Sequence, residues 1–274
     1  MSEARAARAS RIAKREVTRL AALILFSAGC HRHDPHEVEI TPGPPRLVGY
    51  VYRPDGPGPF PAIVYNHGSE PDPDNPPAVA SFFTSHGYVL FAPHRRGHGG
   101  SGGRHERKAV ESAAPGERHR VLVDELVAQV GDVIAGVDWL KRQPYVDPRR
   151  LVVMGTSLGS IEALLLAERK TELRAAISIS GGIPGWSVNA LLRAQMIEAV
   201  THATIPILVI QAENDYSKPA PVLGEAMERA GKPHRVKVYP PFGATTAEGH
   251  GGFCVRGSGL WGDELLSFLS ESLR

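Results

Sequence analysis

The sequence has 274 residues, of which 42% are hydrophobic and 22% are charged, as in an ordinary soluble globular protein. This composition excludes an intrinsically disordered chain and a multi-span membrane protein, and the length suits one large domain or two small ones. The formal net charge of +2 gives no support for nucleic-acid binding, because residues 1–30 alone carry six basic and two acidic side chains. The rest of the chain is therefore slightly acidic.

The amino terminus has the pattern of an export signal. A basic segment, residues 1–19, is followed by the apolar run 20–29 and then by Cys30. The run is too short to span a bilayer, and this order of basic, apolar and small residues is typical of a secretory signal peptide. The motif SAGC at 27–30 also resembles a bacterial lipobox, in which the cysteine is lipidated, although Ser27 stands where a branched apolar residue is usual. We expect a secreted, periplasmic or lipoprotein-anchored protein, with an uncleaved basic tail as the alternative.

Residues 31–45 are predicted to be a linker that leads into a folded domain at 46–274. Three histidines in this linker could hold a metal ion: His31, His33 and His36. A proline-rich tether orders its ligands poorly, so we expect a solvated linker and no metal. The only two cysteines are Cys30 and Cys254, and no disulfide is expected if Cys30 is removed or lipidated.

From about residue 45 onward, short apolar runs alternate with helical patterns. The predicted strands cover 46–52 (as an edge strand), 62–66, 88–92, 151–154, 175–180, 207–211 and 236–239. The predicted helices cover 79–86, 121–141, 158–169, 219–230 and 260–273. Alternation of this kind predicts right-handed crossovers and a mainly parallel sheet with helices on both faces. The predicted fold class is therefore α/β, in a single catalytic-size domain.

The strongest motif is GTSLG at 155–159, which matches G-x-S-x-G between a predicted strand and a predicted helix. That context is typical of a nucleophile elbow, a strained turn that lifts the hydroxyl of Ser157 above the sheet. The two glycines of the motif let strand and helix approach closely, and the helix N-terminus offers partial positive charge to an oxyanion. The alternative interpretation is a glycine-rich turn with a capping serine.

A serine nucleophile needs a base and an acid that orients the base, and both follow the serine in folds of this kind. Asp215 lies in the loop after the strand at 207–211, and Glu213 competes with it. We favour Asp215, because Glu213 is so close to the strand end that it reaches across less well. His250 lies between glycines in the loop after the last predicted strand, which leaves the backbone free to swing the imidazole over the sheet. Together, Ser157, Asp215 and His250 predict a serine hydrolase.

Two backbone N–H groups are predicted to form the oxyanion hole, those of Leu158 and Ser69. Ser69 follows His67 and Gly68 directly after the strand at 62–66, and we expect His67 to brace this loop rather than to react. The basic segment 93–101, PHRRGHGGS, could bind phosphate, but it lacks a P-loop pattern.

These motifs together resemble the α/β-hydrolase superfamily, and within it the dienelactone hydrolase-like and prolyl-oligopeptidase-like branches. The matching pieces span about 45–274: the His67-Gly68 loop, Arg96-Gly97-His98-Gly99, Val137–Leu140 with Val146–Pro148, and the loops of Ser157, Asp215 and His250. The resemblance implies an α/β-hydrolase fold with a small lid region, in which the Arg-Gly-x-Gly loop supports the site. It also implies the roles of nucleophile, acid and base for Ser157, Asp215 and His250. The namesake dienelactone hydrolases use a cysteine nucleophile, so dienelactone is not the expected substrate.

The predicted activity is hydrolysis of a small-molecule carboxylic ester through an acyl-enzyme, with no cofactor and no metal. Residues 181–204 are the predicted lid, in which Trp186 and Met196 either bind substrate or form the buried face of a lid helix. The charged segment 99–120 is the other candidate wall of the site. A peptidase or acyl-peptide hydrolase is the alternative enzyme, although such enzymes usually carry a large extra domain for which this chain leaves no residues. A non-catalytic, surface-anchored binding protein on the same fold is the alternative of another class.

Overall fold

The computed structural model describes residues 35–73 and 76–274, and eight strands of this part of the chain pair into one sheet. The strands are β1 (His36–Thr41), β2 (Leu47–Tyr52), β3 (Phe60–Asn66), β4 (Val89–Pro93), β5 (Val146–Thr156), β6 (Ala175–Ile179), β7 (Ile207–Ala212) and β8 (His234–Tyr239). Their order across the sheet is β1-β2-β4-β3-β5-β6-β7-β8. Only the β1–β2 and β2–β4 pairs are antiparallel. The prediction of a mainly parallel sheet is confirmed.

Helices cover both faces of this sheet. They are α1 (Pro77–Ser85), α2 (Glu106–Ser112), α3 (Arg118–Lys141), α4 (Leu158–Ala167), α5 (Ala190–Thr201), α6 (Ala220–Arg229), α7 (Phe253–Arg256) and α8 (Ser258–Ser272). One apolar core packs β5 residues Leu151 and Val153 against α3 to α6, and the other packs Val152 and Met154 against α1, α7 and α8. Successive strand residues point to opposite faces, so the central strands are apolar on both sides.

Strand β1 corrects the expected domain boundary. The interpretation of residues 31–45 as a linker is wrong for His36–Thr41, which pairs antiparallel with β2 and takes the edge position expected for 46–52. Ile40 is buried and Val38 packs against the core, while Glu37 and Glu39, which alternate with them along the strand, are exposed. A two-residue alternation this short becomes a strand only because β2 is available to pair with it.

Helix α5 occupies the segment expected to form a lid. Its buried residues include Leu192, Met196 and Val200, a spacing of four that faces α4 and α6. Met196 is fully buried, and Trp186 just before the helix lies in the same apolar core. The burial of both residues favours the alternative interpretation, the buried face of a helix, and a substrate-binding role for Trp186 and Met196 stays a prediction.

Within residues 35–73 and 76–274, no helix has both the length and the apolar sequence that crossing a bilayer requires. Several expectations concern residues outside these ranges: the signal at 1–30, lipidation of Cys30, and metal binding by His31 and His33. His36, the third histidine of that group, is exposed on strand β1. Cys254 is a buried free thiol.

Candidate active site

Ser157 occupies the sharp turn between β5 and α4, with φ 54° and ψ −120°. This backbone conformation is one that side-chain-bearing residues avoid, at a cost of about 1–3 kcal/mol. The flanking glycines make the turn possible: a Cβ on Gly155 would lie 2.0 Å from the Gly159 carbonyl oxygen, and a Cβ on Gly159 would lie 2.3 Å from that of Asn66. The motif at 155–159 thus forms the strained strand–helix turn that the sequence predicts.

Three side chains converge at this turn. Ser157 Oγ lies 2.8 Å from His250 Nε2, and His250 Nδ1 lies 2.9 Å from Asp215 Oδ1. Asp215 and His250 are both buried. Because Nδ1–H donates to the carboxylate, the neutral ring keeps its lone pair on Nε2, where it accepts the proton of the Ser157 hydroxyl. The competitor Glu213 is exposed.

The loops of Asp215 and His250 are held together by a residue that the sequence analysis did not single out. Asn214 donates its side-chain N–H groups to the carbonyls of Phe242 and Thr245, at 3.0 and 2.9 Å, and accepts the Phe242 N–H at 2.8 Å. His250 itself lies in a π-helical turn, residues 248–252, rather than in a free loop. A Cβ on Gly249 would lie 2.4 Å from the Asn214 side-chain oxygen, so this glycine is needed for the close approach of the two loops.

The two predicted oxyanion donors lie on neighbouring segments. Leu158 is the first residue of α4, so its N–H is among those that have no partner within the helix. Ser69 is half-buried and follows the segment whose carbonyls, those of Asn66 and His67, lie against Gly159. The adjacent register of β3 and β5 therefore brings this loop to the turn of Ser157. The role of both N–H groups as oxyanion donors stays a prediction.

Arg95 braces the loop that carries Ser69. Its guanidinium is fully buried and donates to the carbonyl oxygens of His67 and Gly68, at 3.0 and 2.8 Å. The Nε–H donates to Gln129 at 3.3 Å, and Nε also lies 2.9 Å from Glu162 Oε1, so the charge is paired although this contact is not an aligned hydrogen bond. The loop at 93–101 thus supports the site, as the family resemblance implies.

Both arginines of the loop at 93–101 already contact carboxylates, so neither is free to bind phosphate. Arg96 forms a two-pronged ion pair with Asp132, at 2.8 and 2.6 Å. Burial, followed by the charge of Arg95, lowers the pKa of His67 well below its usual range and that of His98 to about 3. Burial likewise lowers the pKa of His94. These rings are neutral at physiological pH, so they add no positive charge for an anion.

Tyr216 is a further residue of the site that the sequence analysis did not identify. Its ring packs on the His250 imidazole, and its hydroxyl lies near the Ser157 side chain. Burial and the charge of Asp215 raise the pKa of Tyr216 to about 12, so the phenol keeps its proton and can donate it in a hydrogen bond. In the sequence, only the position of Tyr216 directly after Asp215 could have indicated that it belongs to the site.

The sequence model of the dienelactone hydrolase family matches residues 47–251, a range that includes Ser157, Asp215 and His250. Dipeptidyl-peptidase 5 of Porphyromonas gingivalis is 24% identical in a match that covers 66% of this chain and 30% of that protein. The chain thus spans less than a third of the length of this relative.

Solved structures resemble the chain at the level of the fold. The acylaminoacyl peptidase of Pyrococcus horikoshii superposes with a TM-score of 0.62 at 16% identity, over 80% of this chain and 38% of that one. Esterase 2 of Thermogutta terrifontis, phosphoramylated by tabun, superposes with a TM-score of 0.58 at 19% identity, over 90% of this chain and 97% of that one. The chain has the α/β-hydrolase fold.

Proposed function

The chain belongs to the dienelactone hydrolase family, and from that premise we propose that it is a serine hydrolase of carboxylic esters. The observation that carries the proposal is the 2.8 Å separation of Ser157 Oγ from His250 Nε2. The carboxylate of Asp215 lies behind the imidazole at 2.9 Å. A hydroxyl, a ring nitrogen and a carboxylate in this line are the groups that activate a serine for attack on an acyl carbonyl.

In the proposed reaction, His250 takes the proton of Ser157 as Oγ bonds to the carbonyl carbon. The carbonyl oxygen then carries negative charge, and the N–H groups of Leu158 and Ser69 stabilise it by about 3–4 kcal/mol each. His250 gives its proton to the departing alcohol, and water attacks the acyl-enzyme with His250 again as the base. Asp215 holds the Nδ1–H tautomer and stabilises the imidazolium that forms in both steps.

Hydrolysis of an acyl-peptide bond is the second candidate, favoured by the likeness to a dipeptidyl-peptidase and an acylaminoacyl peptidase. Both matches cover well under half of those proteins. Ester and amide substrates would use the same nucleophile, base and acid, and they differ in the leaving group that His250 must protonate. Substrate panels therefore separate these two candidates, whereas mutation of Ser157 does not.

Labelling with a fluorophosphonate tests the nucleophile. We expect a single covalent adduct that peptide mapping assigns to Ser157, and no adduct in Ser157→Ala. Ser112→Ala, at an exposed serine of α2, is the matched control and should label like the wild type. An adduct at another residue would contradict the assignment of Ser157 as the nucleophile. No adduct in folded protein would favour a non-catalytic binding protein on this fold.

Turnover of matched acyl donors then identifies the leaving group. p-Nitrophenyl esters from acetate to palmitate are compared with N-acyl amino-acid p-nitroanilides, using Ser157→Ala to subtract background. We expect ester turnover that depends on Ser157, with anilides hydrolysed at least 100-fold more slowly. Faster turnover of the anilides would overturn the ester assignment in favour of the peptidase.

We also propose that residues 1–30 direct export and that Cys30 is lipidated, which would tether the enzyme to a membrane. The support is the order of basic, apolar and small residues that ends at Cys30. Mass spectrometry of protein expressed as the full chain in a bacterium should find Cys30 as a lipid-modified first residue in the membrane fraction. Cys30→Ala should leave the membrane fraction, and an intact amino terminus in the wild type would contradict the proposal.

A further inference from the structure

Beside His67 lies a buried cluster of three potential metal ligands that the proposed reaction does not use: His98, His105 and Glu106. The side chain of His98 is fully buried, and those of His105 and Glu106 are 6% and 4% exposed. His98 comes from the loop after β4, and the other two lie where α2 begins. The cluster thus joins a loop to a helix through three almost fully buried side chains.

The spacing of the cluster suits a small divalent cation. Glu106 Oε2 lies 3.5 Å from His98 Nε2 and 3.3 Å from His105 Nδ1. Ligands that bind Zn²⁺ at about 2.0–2.1 Å with tetrahedral angles lie about 3.3–3.5 Å from one another. All three ligand atoms lie within 4.8 Å of one another, so small side-chain adjustments are enough to surround one ion.

The hydrogen bond of one His98 ring nitrogen leaves the other nitrogen facing Glu106. His98 Nδ1 lies 3.1 Å from the Arg96 carbonyl oxygen and donates to it, so the neutral ring carries its lone pair on Nε2. Among the described residues, this Nε2 has no hydrogen-bond partner, and it faces the Glu106 carboxylate. Two buried electron-rich atoms that face each other need a positive group between them. A hydrogen bond from the second ring nitrogen to a carbonyl is also the usual support of a metal-bound imidazole.

Two neighbouring contacts decide how the other ligands would bind. The Gln129 side-chain N–H donates to Glu106 Oε2 at 3.0 Å and fixes the carboxylate in place. His105 Nδ1 accepts the backbone N–H of Arg107 at 3.0 Å and so caps α2. To ligate through Nδ1, His105 must give up this hydrogen bond, and the cap is lost in exchange for the metal bond.

We propose that His98, His105 and Glu106 form a structural site for a divalent transition-metal ion, with Zn²⁺ as the best match. Two imidazoles and one carboxylate suit zinc, whereas Mg²⁺ and Ca²⁺ prefer oxygen ligands alone. Water would fill the fourth position. The site would tie the loop after β4 to α2, and the His98 ring, 4.7 Å from that of His67 between centroids, would pass this constraint to the loop of Ser69.

Nearby charges are compatible with this assignment. Arg95 is paired with Glu162, and Arg96 is paired with Asp132. Asp132 thus compensates Arg96, whereas the charge of Arg95 still acts on His98, and the ligands have to outweigh it.

Metal analysis of the full, tag-free chain tests the proposal, with His31, His33 and His36 replaced by asparagine in every protein to remove background binding. The wild type should retain about one zinc per chain after dialysis, and Co²⁺ substitution should give the visible absorption of a tetrahedral nitrogen–oxygen site. His98→Gln, His105→Asn and Glu106→Gln should each weaken the affinity at least ~100-fold, because loss of a direct ligand costs more than loss of a residue that only hydrogen-bonds a ligand. The exposed His119→Gln is the matched control and should bind like the wild type.

His105→Asn is the most informative variant, because asparagine keeps a helix cap while it removes the imidazole. Its melting temperature without metal should equal that of the metal-free wild type, and zinc should raise the melting temperature of the wild type and of His119→Gln only. If the wild type retains no zinc, or if His105→Asn and His98→Gln bind Co²⁺ with the wild-type spectrum and affinity, the proposal is overturned.

Discussion

The ring of Tyr216 packs on the imidazole of His250, with 4.1 Å between the ring centroids and 33° between the planes. Tyr216 directly follows Asp215, so one loop supplies both the carboxylate that orients the imidazole and the ring that covers one of its faces. The side chain of Tyr216 is large, yet 43% of the residue remains exposed. It therefore lies at the boundary between the reacting groups and solvent.

Removing the Tyr216 hydroxyl should have a measurable but modest effect on ester hydrolysis. Tyr216→Phe keeps the ring on His250 and removes the hydroxyl near Ser157. A polar contact of this kind is worth about 1 kcal/mol, or roughly a fivefold loss of kcat/KM. Tyr216→Leu also removes the aromatic contact and should cost at least ~10-fold. Steady-state kinetics on one p-nitrophenyl ester compare the two variants. Equal losses in the two variants would mean that the aromatic contact contributes nothing, and wild-type kinetics in Tyr216→Phe would mean that the hydroxyl contributes nothing.

The turn of Ser157 should tolerate no side chain at Gly159. A Cβ there would lie 2.3 and 2.4 Å from the carbonyl oxygens of Asn66 and His67, which belong to backbone that cannot move aside alone. We expect Gly159→Ala to lower the free energy of unfolding by about 3 kcal/mol or more. Gly131→Ala, in α3 with open space around its Cβ, is the control and should stabilise by about 0.5–1 kcal/mol. Urea unfolding measures both, and similar destabilisation of the two variants would contradict the packing argument.

The parts of the structure that could be predicted from sequence are those that local patterns determine. The central strands are uninterrupted apolar runs, and the elbow is a five-residue motif between a strand and a helix. The positions of Asp215 and His250 followed from chain order, because the carboxyl ends of parallel strands share one edge. Strand β1 was not predictable in this way, since its two inward residues, Val38 and Ile40, are too short a pattern without β2 beside them.

The missed residues act through contacts between distant parts of the chain. Arg95 reaches carbonyls 28 and 27 residues away, at His67 and Gly68. The ambiguity over Met196 has a related cause, because the sequence pattern of an apolar helix face is the same whether that face lines a pocket or fills the core. Only the location of α5 against α4 and α6 decides between the two.

Replacing the carboxylate of Asp215 tests its proposed role separately from its structural one. Asp215→Asn keeps the size of the side chain. Oδ1 now accepts both the Ser217 N–H and the His250 Nδ1–H, at 2.9 Å each, so an amide nitrogen in that place costs the loop one hydrogen bond, or about 1 kcal/mol of stability. The new amide donates toward His250 and favours the wrong tautomer, which should lower kcat by about 10⁴. Glu213→Gln is the matched control at the exposed competitor and should stay within twofold of the wild type. A comparable loss in Glu213→Gln would contradict the choice of Asp215 over Glu213 as the acid that orients His250.

Cys254 should be inert to alkylation in the folded protein. Its thiol is fully buried, and burial raises its pKa to about 11, with the contacts to Thr156 and Tyr65 acting in the opposite direction. At pH 8 the thiolate is then only about 10⁻³ of the population, and the reagent must also await an opening of the core. Peptide mapping after iodoacetamide treatment should find Cys254 unmodified in native protein and fully modified in guanidinium. Rapid native modification would contradict both its burial and its raised pKa.

The same thiol should make stability fall with rising pH. Its folded pKa of about 11 lies above the ordinary thiol pKa of 9.0, so between these values the folded state binds more protons than the unfolded state. The free energy of unfolding attributable to Cys254 is therefore fully present below pH 9 and decreases by about 2–3 kcal/mol toward pH 11. Cys254→Ala should lose this decrease. Burial also raises the pKa of Tyr65, so this residue makes stability fall with rising pH in both proteins. Urea unfolding at pH 8, 9.5 and 11 compares the two, and parallel pH profiles would show that the thiol does not titrate differently on folding.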